Sequence, residues 1–135
     1  MNFEILHLAK YDDYRGFLVE FLKSSELKGE NKNFGQIYFV TFADKNIVRG
    51  NHYHYTTEEW FGVVFGSLLV TLEDIHTKER ESFSLHYSES KFVRLKIGKE
   101  IAHAFKSLTK PAILLDYANI EYDPDYTDRH HYHLM

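Results

Sequence analysis

Arg49-Gly50-Asn51-His52-Tyr53-His54-Tyr55-Thr56-Thr57-Glu58-Glu59 reads as an extended strand, a short turn and the opening of a second strand. On a strand, residues two apart point to the same face. His52 and His54 therefore share one face, while Asn51 and Tyr53 face the other way. Two imidazoles roughly 6–7 Å apart along a strand can reach a common metal or substrate. Glu59 opens the next strand, which antiparallel pairing is expected to lay beside the first. His103 follows Ile97-Gly98-Lys99-Glu100-Ile101 and brings a third imidazole from a later strand. Three imidazoles and a carboxylate offer only nitrogen and oxygen donors, a set suited to a divalent metal such as Zn, Fe, Mn or Ni. No organic cofactor is indicated. With nine histidines in 135 residues, chance pairs are common. The reading rests on the unbroken spacing His52-x-His54-x4-Glu59-x6-Gly66, not on the pair alone.

Outward from this segment, period-two alternation dominates. Runs at 3–8, 35–43, 47–55, 60–65, 68–73, 81–86, 92–97, 101–107 and 112–118 are short and rich in β-branched and aromatic residues. Turn formers separate them, among them Asp44-Lys45-Asn46, Gly66-Ser67 and Thr109-Lys110-Pro111. Many short strands at this spacing predict an all-β sandwich or barrel. Gly66 reads as a tight hairpin between the strands of Glu59 and Val70, because glycine adopts positive φ without cost. Residues 24–32 carry the one helical turn, and residues 122–135 form a non-periodic tail expected to lie over the barrel or across a partner.

The chain fits one domain, 1–135. Apolar residues make up 44% and aromatics 16%, ample for a packed interior. Sixteen basic against 20 acidic side chains, with no basic stripe, argue against nucleic acid and an anionic membrane surface. The absence of cysteine excludes disulfides and thiolate metal sites. The longest apolar stretch is far shorter than a membrane span, and no signal peptide is evident, so the expected location is cytoplasmic.

The His52–Gly66 spacing resembles the first motif of the cupin family, lacking only its leading glycine, where Asn46 stands. Of the second cupin motif, His103 alone survives; Phe92, Gly98, Glu100 and Ser107 occupy its other positions. The resemblance implies a cupin, a jelly-roll-like double-stranded β-helix barrel, with His52, His54, Glu59 and His103 at the four metal-ligand positions.

A narrower resemblance spans most of the chain. Asp13-Tyr14-Arg15-Gly16-Phe17-Leu18-Val19-Glu20 is similar to an element near the start of the dTDP-4-dehydrorhamnose 3,5-epimerase-like cupins. Ile37-Tyr38-Phe39-Val40, then Arg49-Gly50-x-His52-x-His54, resembles the dTDP-4-keto-6-deoxyglucose 3,4-ketoisomerases. The 49–54 segment with Glu59 also resembles the cupin domain of capsular UDP-sugar reductase/epimerases. Tyr122-Asp123-Pro124 fits an element near the end of these groups.

These resemblances imply an isomerase or epimerase of a nucleotide-linked 4-keto-6-deoxy sugar. The C–H beside a ketone is acidified, and a positioned imidazole is the side chain best poised to remove its proton near neutrality. By resemblance His52 is the base, His54 a second proton carrier and Tyr38 a pocket donor. Arg15 and Arg49 would face the pocket as a pair that holds the diphosphate. Asp116 falls near the position of the epimerases' late tyrosine, with Tyr117 adjacent, and is taken as a substrate-binding residue; the catalytic acid stays unassigned. Tyr53, Trp60 or Tyr126 could stack on the base. Glu59 stands where the ketoisomerases typically carry glutamine and need no metal, and His52 cannot readily be both ligand and free base. A metal-dependent cupin acting on another small molecule, and a non-catalytic binding barrel, therefore stay open. Relatives pair through N-terminal strands, so a homodimer is expected; Arg129-His130-His131-Tyr132-His133 is expected to be solvated or docked on the surface.

Overall fold

The computed structural model describes residues 1–135, the side chain of Glu30 excepted. Its strands run β1 (Phe3–Leu8), β2 (Tyr11–Asp13), β3 (Gly16–Leu18), β4 (Gln36–Phe42), β5 (Val48–Tyr53), β6 (Glu59–Phe65), β7 (Ser67–Asp74), β8 (Arg80–His86), β9 (Phe92–Ile97), β10 (Ile101–Ser107), β11 (Ala112–Ala118) and β12 (His130–His131). Two five-stranded antiparallel sheets result, ordered β1-β9-β6-β11-β4 and β12-β5-β10-β7-β8, and β2-β3 forms a separate hairpin. The helical turn expected at 24–32 appears as two 3₁₀ turns, Ser24–Glu26 and Gly29–Asn31.

From β4 to β11 the chain changes sheet at every connection except β7–β8. This is the jelly-roll-like cupin arrangement, and it corrects two local expectations. β5 and β6 do not pair: β5 lies between β12 and β10, and β6 lies between β9 and β11. Glu59 therefore meets the histidines across the interior, not along a ladder. Gly66-Ser67 is likewise a corner between sheets and not a hairpin. Gly66 has φ 72°, and a Cβ there would stand 2.3 Å from Thr109 Oγ1, so glycine is required for both conformation and space.

Alternation fills the interior from both sides. Phe42, Phe61, Val63, Leu68, Val70, Leu72, Leu95 and Leu114 are buried in one cluster between the sheets. Parts of the outer faces are covered as well. Phe21 packs on Phe92, and Arg94, 4% exposed, donates to Phe21 O and to Glu26 outside β9. On the second sheet, Ala102 and Ala104 leave room for the tail, whose Leu134 packs there beside Tyr53, Tyr132 and Met135. The tail thus lies over the barrel of its own chain. No helix among the described residues is long and apolar enough to cross a membrane.

Candidate active site

One end of the interior is polar. On β10, Ile101, His103 and Phe105 alternate inward, and on β6 Glu59 and Phe61 do the same. Tyr38 on β4 lies in register with Asp116 on β11, and His52 on β5 with His103 on β10. The register slips between His103 and Ala104, where Gly50 (φ 95°) and Asn51 (φ 57°) form a bulge. A Cβ on Gly50 would lie 2.8 Å from His103 O. The bulge turns the Asn51 side chain outward, where its amide oxygen accepts from Leu134 N–H at 2.8 Å and its amide group donates to Met135 O at 3.0 Å. His52 and His54 remain inside, with ring centroids 5.0 Å apart.

His52, His54 and His103 converge, each offering a ring nitrogen within 4.8 Å of the others. Among the described residues no other group of three or more His, Cys, Asp or Glu converges in this way. Glu59, fully enclosed, places Oε2 3.3 Å from Nε2 of both His54 and His103, and its Oε1 accepts from the Tyr38 hydroxyl at 3.1 Å. The other nitrogens of these two imidazoles face main-chain carbonyls: His54 Nδ1 lies 2.5 Å from Asp128 O and His103 Nδ1 lies 3.0 Å from Ile101 O. If Nδ1 carries the proton in each ring, both Nε2 atoms turn lone pairs toward a carboxylate. His54 Nε2 and Glu59 Oε2 indeed have no hydrogen-bond partner although both are buried. Such opposed acceptors call for positive charge between them, either a proton or a cation, and an Nδ1–H donated to a carbonyl is the usual support of a metal-ligating histidine. The residues fit a divalent metal.

The electrostatics divide the site. Burial, and then His103 and His54, push His52 down to about 3, so its ring is neutral at pH 7. Burial also lowers His54, but the Glu59 carboxylate and the Asp128 carbonyl outweigh it and raise the ring. Glu59 is held well below the usual carboxylate range, because both imidazoles overcome its desolvation. Asp116, 1% exposed, is pushed well above that range by burial and by Glu59, and neither of its oxygens has a hydrogen-bond partner. Burial and the two carboxylates keep the Tyr38 phenol far above its ordinary value, so it stays a donor.

Two cavities meet at this end. The smaller, about 410 Å³, is lined by His52, His103, Asp116 and Arg49 with an apolar wall of Phe42, Phe61 and Leu114. The larger, about 770 Å³, is lined by His54, Gln36, Tyr122 and Tyr126, and Tyr38, Glu59 and Arg129 border both.

Of the residues expected from sequence, His52, His54, Glu59, His103, Tyr38, Asp116 and Arg49 come together. Arg15 does not, and the expected Arg15/Arg49 pair is not formed within this chain. Arg15 lies on the β2–β3 hairpin, where Asp13 binds its guanidinium through both carboxylate oxygens and Arg15 lines a separate shallow depression. Of the aromatic candidates, Trp60 is 4% exposed on the opposite face of β6, against Tyr117 and under Lys96. Tyr53 packs outside with the tail, and only Tyr126 lines a cavity. The histidines of the tail are docked outside the site, His130 stacking on Tyr53 at 5.3 Å.

The sequence does not mark Asp128, and Arg129, expected on the surface with the tail histidines, instead borders both cavities. The Asp128 carboxylate accepts from the N–H groups of Tyr55, Thr56 and Thr57 and from both threonine hydroxyls, tying the tail to the loop that carries His54. No spacing links residue 128 to residues 54–57; the single hint was an aromatic-rich tail without periodicity of its own.

Comparison with known proteins agrees with this fold. Among solved structures, dTDP-4-dehydrorhamnose 3,5-epimerase from Bacillus anthracis, with TDP and PPi bound, aligns at TM-score 0.79 and 20% identity over 95% of this chain and 77% of that one. A mutant of the 3,4-ketoisomerase QdtA from Thermoanaerobacterium thermosaccharolyticum, in complex with TDP-4-keto-6-deoxyglucose, aligns at 0.73 and 22% over 95% and 86%. The capsular polysaccharide assembling protein CapF from Staphylococcus aureus aligns at 0.70 and 22% over 94% of this chain but only 34% of its own. At these identities the likeness is one of fold. No curated protein matches by sequence. The family described as "Polysaccharide biosynthesis C-terminal domain" matches residues 11–130, nearly the whole of the barrel and tail, and the chain belongs to that family.

Proposed function

We propose that the protein is an isomerase or epimerase of a 4-keto-6-deoxy sugar carried on a nucleoside diphosphate. Proton abstraction beside the carbonyl is its chemical step. The observation that carries this reading is the state of His52. It is a half-buried imidazole with no hydrogen bond among the described residues, set on the wall of a cavity large enough for a hexose. His54 and His103 are held against Glu59, so His52 alone is free to take up a proton from substrate. Tyr38 and Asp116 supply the polar wall beside it, and Phe42, Phe61 and Leu114 offer a surface that suits a 6-methyl group better than a hydroxymethyl. Arg49 lines the smaller cavity and is exposed, placed for the anionic diphosphate, which the reaction leaves intact. The fold likeness to structures named for TDP and TDP-4-keto-6-deoxyglucose complexes supports the same substrate class.

A divalent cation (Zn, Fe, Mn or Ni) would be held by His54, Glu59 and His103, and one that also engaged His52 would take it out of use as the base; when bound, the cation would supply Lewis-acid stabilisation of negative charge on a substrate oxygen. The orphaned His54 Nε2 and Glu59 Oε2 also favour a second reading, a metal-dependent cupin acting on another small molecule. Exchange of the sugar C3 proton with solvent separates the two, since only the isomerase reading requires it. Exposed Ile37 and Phe39 on the edge strand β4, with Ile5 and Leu6 on β1, support a homodimer.

A further inference from the structure

Arg129 borders both cavities. Its neighbours fix its backbone on either side: Asp128 is tied to residues 55–57, and His130–His131 pairs with Tyr53 and His52 on β5. Among the described residues, neither Arg129 nor Arg49 has an ion-pair partner, although the chain carries 20 acidic against 16 basic side chains. Asp128, next to Arg129 in sequence, is taken up by the loop it ties. Arg15, by contrast, is neutralised by Asp13. Two unpaired guanidiniums on the wall of the smaller cavity, one of them shared with the larger, are suited to forked hydrogen bonds with phosphate oxygens.

The linings of the two lobes give the orientation. The larger holds Glu121, Asp123 and Asp128, which repel phosphate; Glu121 and Asp123 can accept from ribose hydroxyls or base N–H groups, and Tyr122 and Tyr126 offer ring faces for stacking. The smaller holds His52 and the apolar wall. We propose that Arg129, together with Arg49, clamps the diphosphate at the junction, with the nucleoside in the larger lobe and the sugar in the smaller. The C-terminal tail thereby supplies a specificity-determining residue for diphosphate over monophosphate. This rests on the nucleotide-sugar reading above.

The test is calorimetric titration of TDP, UDP, TMP and pyrophosphate into the full chain and into Arg129→Gln and Arg129→Lys, with thermal melts as the folding control. Loss of a charge-assisted contact is expected to weaken TDP or UDP about ten- to hundred-fold in Arg129→Gln. The same variant is expected to weaken pyrophosphate and to narrow the gap between TDP and TMP, with Arg129→Lys falling between it and the parent. Unchanged diphosphate affinity in Arg129→Gln, against clear binding by the parent, overturns the clamp and leaves the proposed function standing. Failure of the parent to bind TDP, UDP or pyrophosphate overturns both.

Discussion

His54 Nε2 lies 3.3 Å from Glu59 Oε2 across the space between the two sheets, and neither atom has a hydrogen-bond partner. A buried carboxylate opposite an imidazole lone pair is costly unless a positive charge intervenes. The purified protein, untagged and never exposed to chelator, is expected to carry near-stoichiometric divalent metal by elemental analysis. His103→Ala and Glu59→Gln are expected to lose about tenfold or more of it at unchanged fold. Metal-free parent protein would instead assign the charge to a proton on His54.

His52 is the imidazole without an anchor. His52→Asn is expected to reduce turnover about 10²–10⁴-fold, the range for removal of a general base. Nucleoside diphosphate affinity should stay within about threefold, because Arg49 and Arg129 are untouched. A comparable loss of binding would make His52 a substrate-binding group instead.

Asp128 gathers three backbone N–H groups and two hydroxyls on one partly buried carboxylate. Asp128→Ala leaves these donors unpaired and is expected to cost about 1–3 kcal/mol in urea unfolding. Its main-chain carbonyl still faces His54, so any loss of activity should reflect loosening of residues 55–57. A stability within about 0.5 kcal/mol of the parent would show that the tail is not held by this residue.

Period two made the convergence of His52, His54 and His103 legible, and the ends of β9, β10 and β11 fall where alternation places them. Tyr38, Asp116 and Arg49 came from resemblance, since nothing in their local pattern sets them apart from other strand residues. Partner choice was not legible. The connection between Tyr53 and Glu59 is short enough for a hairpin, and only the whole jelly-roll order shows that it crosses between sheets. Arg15 stands apart because Asp13, the first residue of the same element, captures its guanidinium within this chain, a pairing that the pattern alone does not reveal. The positions of Asp128 and Arg129 at the site were not legible because the ties that place them span more than 70 residues and follow no periodicity.

Arg94 is buried on the outer face of β9 with Glu26 as its counter-ion, 3.1 Å away. Burial raises the Glu26 carboxyl, but hydrogen bonding from Arg94 and from the Lys23 backbone outweighs it and holds the group below its ordinary value of 4.5. A folded-state value lower than the unfolded one means the stabilisation is complete above 4.5 and is lost as pH falls through the depressed value. Glu26→Gln is expected to cost about 1–3 kcal/mol at pH 7 and progressively less below pH ~4.5. A difference between parent and variant that stays constant from pH 7 to pH 3 would contradict this assignment.

Proton abstraction beside the carbonyl is tested by incubating the purified protein with dTDP-4-keto-6-deoxyglucose in D₂O and following the sugar C3 proton by NMR. The C3 signal is expected to be lost with the parent protein and to persist with His52→Asn. Retention of the C3 proton by the metal-replete parent, at concentrations where the nucleotide binds, would contradict proton abstraction beside the carbonyl and with it the proposed function.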